Sequence, residues 1–294
     1  MWGALPLGLK VVLGHMDPLT VTWYRFSISA IIALAWYGWR SGGALRAMLL
    51  SRRGGWALTA VFGLLGNYVL FAWGLDHLNP GAAQIIVQVA PLLLLLASIF
   101  FLGERVHAMQ WLGVAAFSIG LLLFFHRRLS SAVITDDDYL AGAAIMLGAA
   151  GVWAIYAIAQ KKLLVHHHAK DILLLICLGG SLCLLPVAHP EQIIGLDHWE
   201  LALLLFCGVN TILAYGAFGL ALSYWDASRV SAMIPLVPLL TLSFTYLLNR
   251  WLQAGIPAEP LDRLGVAGAV FVVVGSMCAT LSRRQPIAPG TAPE

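Results

Sequence analysis

GGWALTAVFGLLGNYVLFAWGL (Gly54–Leu75) holds no Asp, Glu, Lys or Arg. A bilayer core of about 30 Å takes roughly 20 residues of helix to cross, so this run can span a membrane unaided. Seven more stretches share the property: Leu78–Gly103, Val106–His126, Tyr139–Gln160, Ile172–Pro190, Leu201–Trp225, Val230–Asn249 and Leu264–Ser282. A ninth, Pro18–Trp39, carries one charge, Arg25, and a tenth, Met1–Gly14, is short. A soluble core could bury one or two such helices but not nine. Composition agrees: 60% of the chain is hydrophobic and 11% charged, against about 25% charged in an ordinary soluble domain. The reading is an all-α membrane protein of ten transmembrane helices, with the lipid bilayer as its first partner.

Charge placement sets the orientation, because Lys and Arg are retained on the cytoplasmic side. With ten crossings and a cytoplasmic start, the inner segments hold Arg40, Arg46, Arg52, Arg53, Arg105, Lys161, Lys162, Lys170, Arg229, Arg283 and Arg284. The outer segments hold only Arg127, Arg128, Arg250 and Arg263, together with most of the acids, such as Asp136–Asp138, Glu191 and Glu200. Both termini are therefore expected in the cytoplasm. The net charge of +3 is a topology signal, and nothing favours a nucleic-acid partner. Cys177, Cys183, Cys207 and Cys278 fall inside apolar stretches, where small apolar packing accounts for them. No basic leader precedes the first apolar residues, so insertion would use the helices themselves.

The last five stretches echo the first five. Trp2-Gly3-Ala4 leads to Lys10 and Trp153-Ala154-Ile155 to Lys161, eight residues on in both cases. Gln84 precedes Pro91 by seven residues, as Ser231 precedes Pro238. Residues 1–126 form one five-helix repeat and 139–282 the second, joined by RRLSSAVITDDD (Arg127–Asp138), with 283–294 a disordered cytoplasmic tail. An odd number of helices inverts the second repeat, and inverted repeats are a transporter architecture with substrate at the midplane between the halves. Against its own repeat the first helix starts late, which leads us to expect a segment upstream of Met1.

The order of motifs resembles the EamA-type members of the drug/metabolite transporter superfamily over nearly the whole chain. The carriers are Trp2-Gly3, DPLTVTWYRF (Asp17–Phe26), GNYVLFAWGL (Gly66–Leu75), Pro91 with FLGER (Phe101–Arg105), and MQWLG (Met109–Gly113). The second half departs from the pattern, with Asn249-Arg250-Trp251 where a Gly-Glu usually recurs. The resemblance implies ten helices around a central cavity, a place in the bacterial inner membrane, and export of small metabolites, amino acids among them.

Polar groups at membrane depth mark pathways or helix contacts. Gln84, Gln88 and Pro91 share one helix face. Two amides there could bind a polar metabolite, and Pro91 frees a carbonyl one turn earlier; an interhelical amide contact is the alternative. Asn67, Tyr68, Trp153, Tyr156, Asn210 and Tyr215 supply the amides and aromatic walls of a cavity for a small amphipathic molecule; an aromatic belt at the membrane surface is the alternative. Trp73, Gln160 and Tyr224 lie near helix ends and suit a belt or loop better. Arg25 could bind a substrate carboxylate, or it could snorkel or pair with helix-end carbonyls. Lys10 and Lys161 read as snorkelling, and Glu104-Arg105 as a surface pair or gate contact. Pro235 and Pro238 should break their helix and offer a gating hinge, or serve static packing. Small residues four apart (Ala116/Gly120, Ala144/Gly148, Ala217/Ala221, Gly265/Ala269) let helices approach closely, within the monomer or in a dimer.

No nucleotide-binding loop, zinc-protease motif or nucleophile elbow occurs, so the chain reads as neither an ATPase nor an enzyme. No metal or cofactor is expected, since His166-His167-His168 sits in a basic loop. No Asp or Glu lies mid-helix. Proton coupling would therefore need Asp17, Asp76, Asp226, a His or the substrate's own charge. The alternatives are an importer or a gradient-driven facilitator and, in another class, a membrane scaffold or enzyme.

Overall fold

A computed structural model describes residues 1–37, 42–51, 54–93, 108–127, 137–224, 234–252, 255–258 and 261–280. Among these residues every regular element is helical. The helices are α1 (Leu5–Leu13), α2 (Pro18–Tyr37), α3 (Gly42–Leu50), α4 (Gly54–His77), α5 (Pro80–Ile86), α6 (Ala108–Phe124), α7 (Asp137–Leu164), α8 (Ala169–Leu184), α9 (His198–Tyr224), α10 (Val237–Leu252) and α11 (Arg263–Thr280). Each apolar stretch carries one helix. The short α3 falls in the basic connector after α2, where no helix was expected. By length and composition α2, α4, α7 and α9 can cross a membrane; the helix from Pro80 to Leu93, α6 and most of α11 are apolar but shorter.

The bundle is apolar outside as well as inside. Ile31, Phe62, Leu112, Leu122, Ile155 and Leu220 all point outward and exposed. A chain in water would bury such side chains; in lipid they face a matching solvent. The helices bury large side chains such as Phe26, Leu64, Phe117 and Tyr156 against one another, but their tightest contacts run through small residues, because lipid gives apolar side chains no reason to leave it and association gains from close backbone approach.

The α6–α11 seam shows this most clearly. A Cβ on Gly113 would fall on the backbone nitrogen of Ala279, and one on Gly120 on that of Val272. Reciprocally, a Cβ on Gly268 would meet the nitrogen of Phe124, and one on Gly275 that of Phe117. The chains run antiparallel, and the glycines that set the contact are seven apart on each helix. Of the small-residue pairs read from the sequence, Gly120, Gly265 and Ala269 lie buried on this pair of helices, whereas Ala144, Gly148 and Ala217 face outward. Spacing alone cannot say which side of an all-apolar helix is inside. On α7 the buried face is Gly142, Met146, Ala149 and Ala150, with Gly142 against His77 and Leu78 of the α4 end.

Helix pairing follows a pattern across the two halves. α4 packs along α7, α1 on α9, α2 on α8 and α9, α4 also on α8, α5 on α10 and α6 on α11. If α1, α2, α4, α5 and α6 are equated with α7 to α11 in order, the α1–α9 contact maps onto α4–α7 and α2–α9 onto α8–α4. The other three contacts map onto themselves.

Polar links close the helix ends. Lys10 Nζ donates to Leu75 O at 2.9 Å and to Asp76 O at 2.5 Å, capping the end of α4 rather than snorkelling free. His77 meets Asp138 at 2.6 Å, His126 meets Asp262 at 3.1 Å, and His15 meets Glu200 at 2.8 Å. Asp262 is held below the ordinary carboxylate range, first by the Gly265 N–H it accepts and, against slight desolvation, by His126. Asp17 caps α2 by accepting from Leu19 N at 2.9 Å and Thr20 N at 3.0 Å. Burial pushes its carboxyl up, but these bonds and the one involving Gln192 outweigh that, and the net shift is downward.

Candidate functional site

Helix α5 starts cleanly and ends early, and where it ends the site begins. Asn79 caps it, its side chain accepting from Ala82 N at 2.8 Å, with Pro80 at the first helical position, where a missing N–H is harmless. The helix then breaks at Val87–Gln88 before residues 89–93 resume it. Gln88 N turns to Ile85 O at 3.2 Å instead of reaching back a full turn. Pro91 has no N–H for Val87 O, and Ala90 N takes that carbonyl at 2.9 Å. The expected free acceptor is thus reclaimed by a tighter turn.

The second half carries irregular backbone at the matching place. A 3-10 turn, Ile234–Leu236, runs into α10, with Pro235 inside the turn and Pro238 as the second residue of the helix. In the seven-residue register of Gln84–Pro91 and Ser231–Pro238, Val87 corresponds to Ile234, Gln88 to Pro235 and Ala90 to Val237. Ser231 itself lies outside the described residues, as do Glu104-Arg105, Asp226 and the side chain of Tyr224.

Between the break at Val87–Gln88 and the turn at Ile234–Leu236 lies a cavity of about 120 Å³. Of the residues singled out from sequence, Gln84, Gln88, Pro91, Asn67, Tyr68, Trp153, Tyr215 and Arg25 line it. Tyr156 and Asn210 do not: Tyr156 is buried where a Cβ on Gly63 would touch it, and Asn210 Nδ2 donates to Met1 O at 3.0 Å. Asn67 makes a similar bond, from Nδ2 to Ala149 O at 2.9 Å, while keeping its place in the wall. Each asparagine thus ties its helix to a carbonyl just before a repeat-marking tryptophan, Trp153 or Trp2. Trp73 is exposed, as a belt residue should be, whereas Gln160 is buried.

Trp2, Leu5, Phe71, Val87, Ala90, Ile234 and Val237 complete the wall and were not anticipated. For Trp2 the signal existed, since its repeat mate Trp153 was assigned to the cavity. The apolar ones had none, being indistinguishable from lipid-facing neighbours.

The polar interior has a definite character. Arg25 is 2% exposed and does not snorkel. Its guanidinium lies over the Tyr68 ring, 4.1 Å from the centroid, a favourable cation–π placement. Its Nε is buried without a hydrogen-bond partner, and so is Oε1 of Gln88, a residue 1% exposed. Aromatic rings continue the wall: Trp2 to Tyr215 at 5.4 Å, Tyr215 to Tyr68 at 5.8 Å and Tyr68 to Phe26 at 4.9 Å between centroids. Among the described residues no His, Asp, Glu or Cys lines the cavity, and no cluster of such groups could hold a metal ion.

The EamA-like transporter family profile matches residues 1–126 and 140–281, both halves in turn. The chain belongs to that family. It is 37% identical to an uncharacterized inner membrane transporter of Escherichia coli, YhbE, over 96% of this chain and 88% of the relative. It is 27% identical to a probable amino-acid metabolite efflux pump of Salmonella typhimurium, covering 94% of this chain and 89% of the pump. A crystal structure of a protein with 20% identity superposes with a TM-score of 0.63 over 95% of this chain and 93% of its own, which shows a shared fold. As an EamA-like protein the chain is a membrane transporter, and its many apolar helices fit a multi-pass membrane protein.

Proposed function

We propose that this chain is a carrier of the bacterial inner membrane that exports small amphipathic metabolites, amino acids or close relatives of them, by alternating access. The observation that carries the reading is the cavity set between the helix break at Val87–Gln88 and the 3-10 turn at the matching place in the second half. Discontinuous helices facing a midplane cavity are a recurrent device of secondary transporters, and irregular backbone at that depth is tolerated where it lines such a space. The paired contacts of the two halves support ten crossings arranged as two inverted five-helix repeats. The Lys and Arg distribution supports cytoplasmic termini.

A cavity of about 120 Å³ falls below the several hundred Å³ common for ligand sites, so a solute with an extended side chain requires the helices to part. Pro235 and Pro238, at the 3-10 turn that runs into α10, are the proposed hinge. Outward transport rests on the efflux relative's name. A gradient-driven facilitator is the second reading, favoured by one observation: among the described residues no carboxylate or His lines the cavity. The test is metabolite profiling of cells with and without the protein, followed by uptake of the hits into vesicles of both orientations. Accumulation of an amphipathic metabolite inside cells lacking the protein, with uptake into inverted vesicles containing it, is the expected result. Unchanged profiles and no uptake in either orientation would reject the carrier.

A further inference from the structure

Resting on the reading of this cavity as the transport site, we propose that Arg25 is the seat of a substrate carboxylate, with Gln88 Oε1 receiving a donor group such as an ammonium. The transported class is then carboxylates, and zwitterionic amino acids in particular, rather than amines or neutral amphiphiles.

The argument begins with the cost of a buried charge. A guanidinium taken out of water must be compensated, and proteins do so with a carboxylate or several carbonyls. Arg25 has neither among the described residues: no acid lies within ion-pair distance, no hydrogen bond leaves its side chain, and its Nε is orphaned. What it has is the face of Tyr68 on one side and the cavity on the other. The contrast with Lys10 is informative, because that cation is satisfied by two carbonyls at the end of α4. A guanidinium presents a planar fork that suits a carboxylate with two parallel bonds.

Gln88 supplies the opposite end. Its Oε1 is buried, unpartnered and in the same wall, an acceptor without a donor. One orphan donor and one orphan acceptor, on two residues that line the same small cavity, are both answered by a molecule carrying a carboxylate and an ammonium once these side chains turn to it. The rings of Trp2 and Trp153, which also line the cavity, add further surface for a cation and for an apolar side chain. The pseudo-equivalent of Gln88 in the second half is Pro235, so the polar seat is built by the first repeat alone.

The test uses the purified full-length protein in detergent and quenching of its tryptophan fluorescence, since Trp2 and Trp153 border the site. The probes are alanine, leucine and phenylalanine, each beside its amide, its decarboxylated amine and its deaminated acid. The expected order places the amino acid first, with the deaminated acid weaker and the amide and amine weaker by tenfold or more. Arg25→Gln should remove the preference of acid over amide, while Arg25→Lys keeps part of it. Gln88→Leu should bring amino acid and deaminated acid together and leave the amide penalty in place. Equal response of the wild type to acids, amides and amines overturns the carboxylate seat, as does no response to any probe. Both results leave the carrier reading to stand or fall on metabolite profiling. If Arg25→Gln fails to fold, the wild-type order and Gln88→Leu still decide the question.

Discussion

Replacing Gly268 by alanine inserts one methyl group where α6 and α11 touch backbone to backbone. The new Cβ would overlap Phe124 N, with Gly120 O at 2.8 Å and Leu123 C also at 2.8 Å. These are backbone atoms of a neighbouring helix and cannot rotate away, so the helices must separate. A gap of about 0.5–1 Å forfeits a quarter to a half of the dispersion energy of each affected pair, and the seam continues through Gly113, Gly120 and Gly275. Overpacking of this kind costs roughly 3 kcal/mol. Alanine recovers about 1 kcal/mol of helix propensity, leaving about 2 kcal/mol of net destabilisation. Gly148→Ala is the control, because there the nearest atom to a new Cβ is Leu70 Cδ1 at 3.8 Å. It should be neutral or stabilising by up to about 1 kcal/mol. Equilibrium unfolding of the purified protein in mild detergent with increasing sodium dodecyl sulfate measures both. Equal effects of the two substitutions, or a stabilised Gly268→Ala, would refute the close seam.

Asn67→Leu removes the Nδ2 bond to Ala149 O and should cost about 1 kcal/mol, read by the same unfolding assay. Asp17→Ala removes the cap of α2 and should cost about 1 kcal/mol at pH 7. The folded carboxyl titrates below its ordinary range, so its contribution is complete above the unfolded value and fades as pH falls through the lower folded one. The wild type and Asp17→Ala unfolding curves should therefore converge only at the most acid end of a pH series; a constant difference down to that end would contradict the assignment. Reporter fusions at either terminus should read cytoplasmic, and a periplasmic C-terminus would remove the ten-span topology.

Much of the fold was legible because lipid imposes a crude rule: an uncharged stretch of some 20 residues has few other uses. Each of the ten stretches carries a helix among the described residues, and the Gln84–Pro91 spacing points to the break at Val87–Gln88. Legibility failed where membrane helices lose amphipathic contrast. On α7 the sequence offered Ala144/Gly148 as a packing face, yet the neighbours lie on the Gly142–Met146–Ala149 side, since both faces are apolar. The same blindness hid Leu5, Phe71 and Val87 from the cavity list, while polar residues there announced themselves. Asn210 misled for a different reason, because a buried amide can serve a helix contact as readily as a ligand. The short helix α3 carried too few turns to register.

The central claim is that solute crosses through the cavity between the break at Val87–Gln88 and the turn at Ile234–Leu236, and Gln84 and Gln88 test it most directly. Efflux of the metabolite found by profiling should be measured from cells making wild type, Gln84→Ala or Gln88→Ala, with membrane abundance matched by immunoblot. Loss of one hydrogen bond to the solute, about 0.5–1.5 kcal/mol, predicts efflux lowered roughly 2- to 10-fold at limiting solute for each variant at unchanged abundance. Wild-type efflux by both variants would contradict the account.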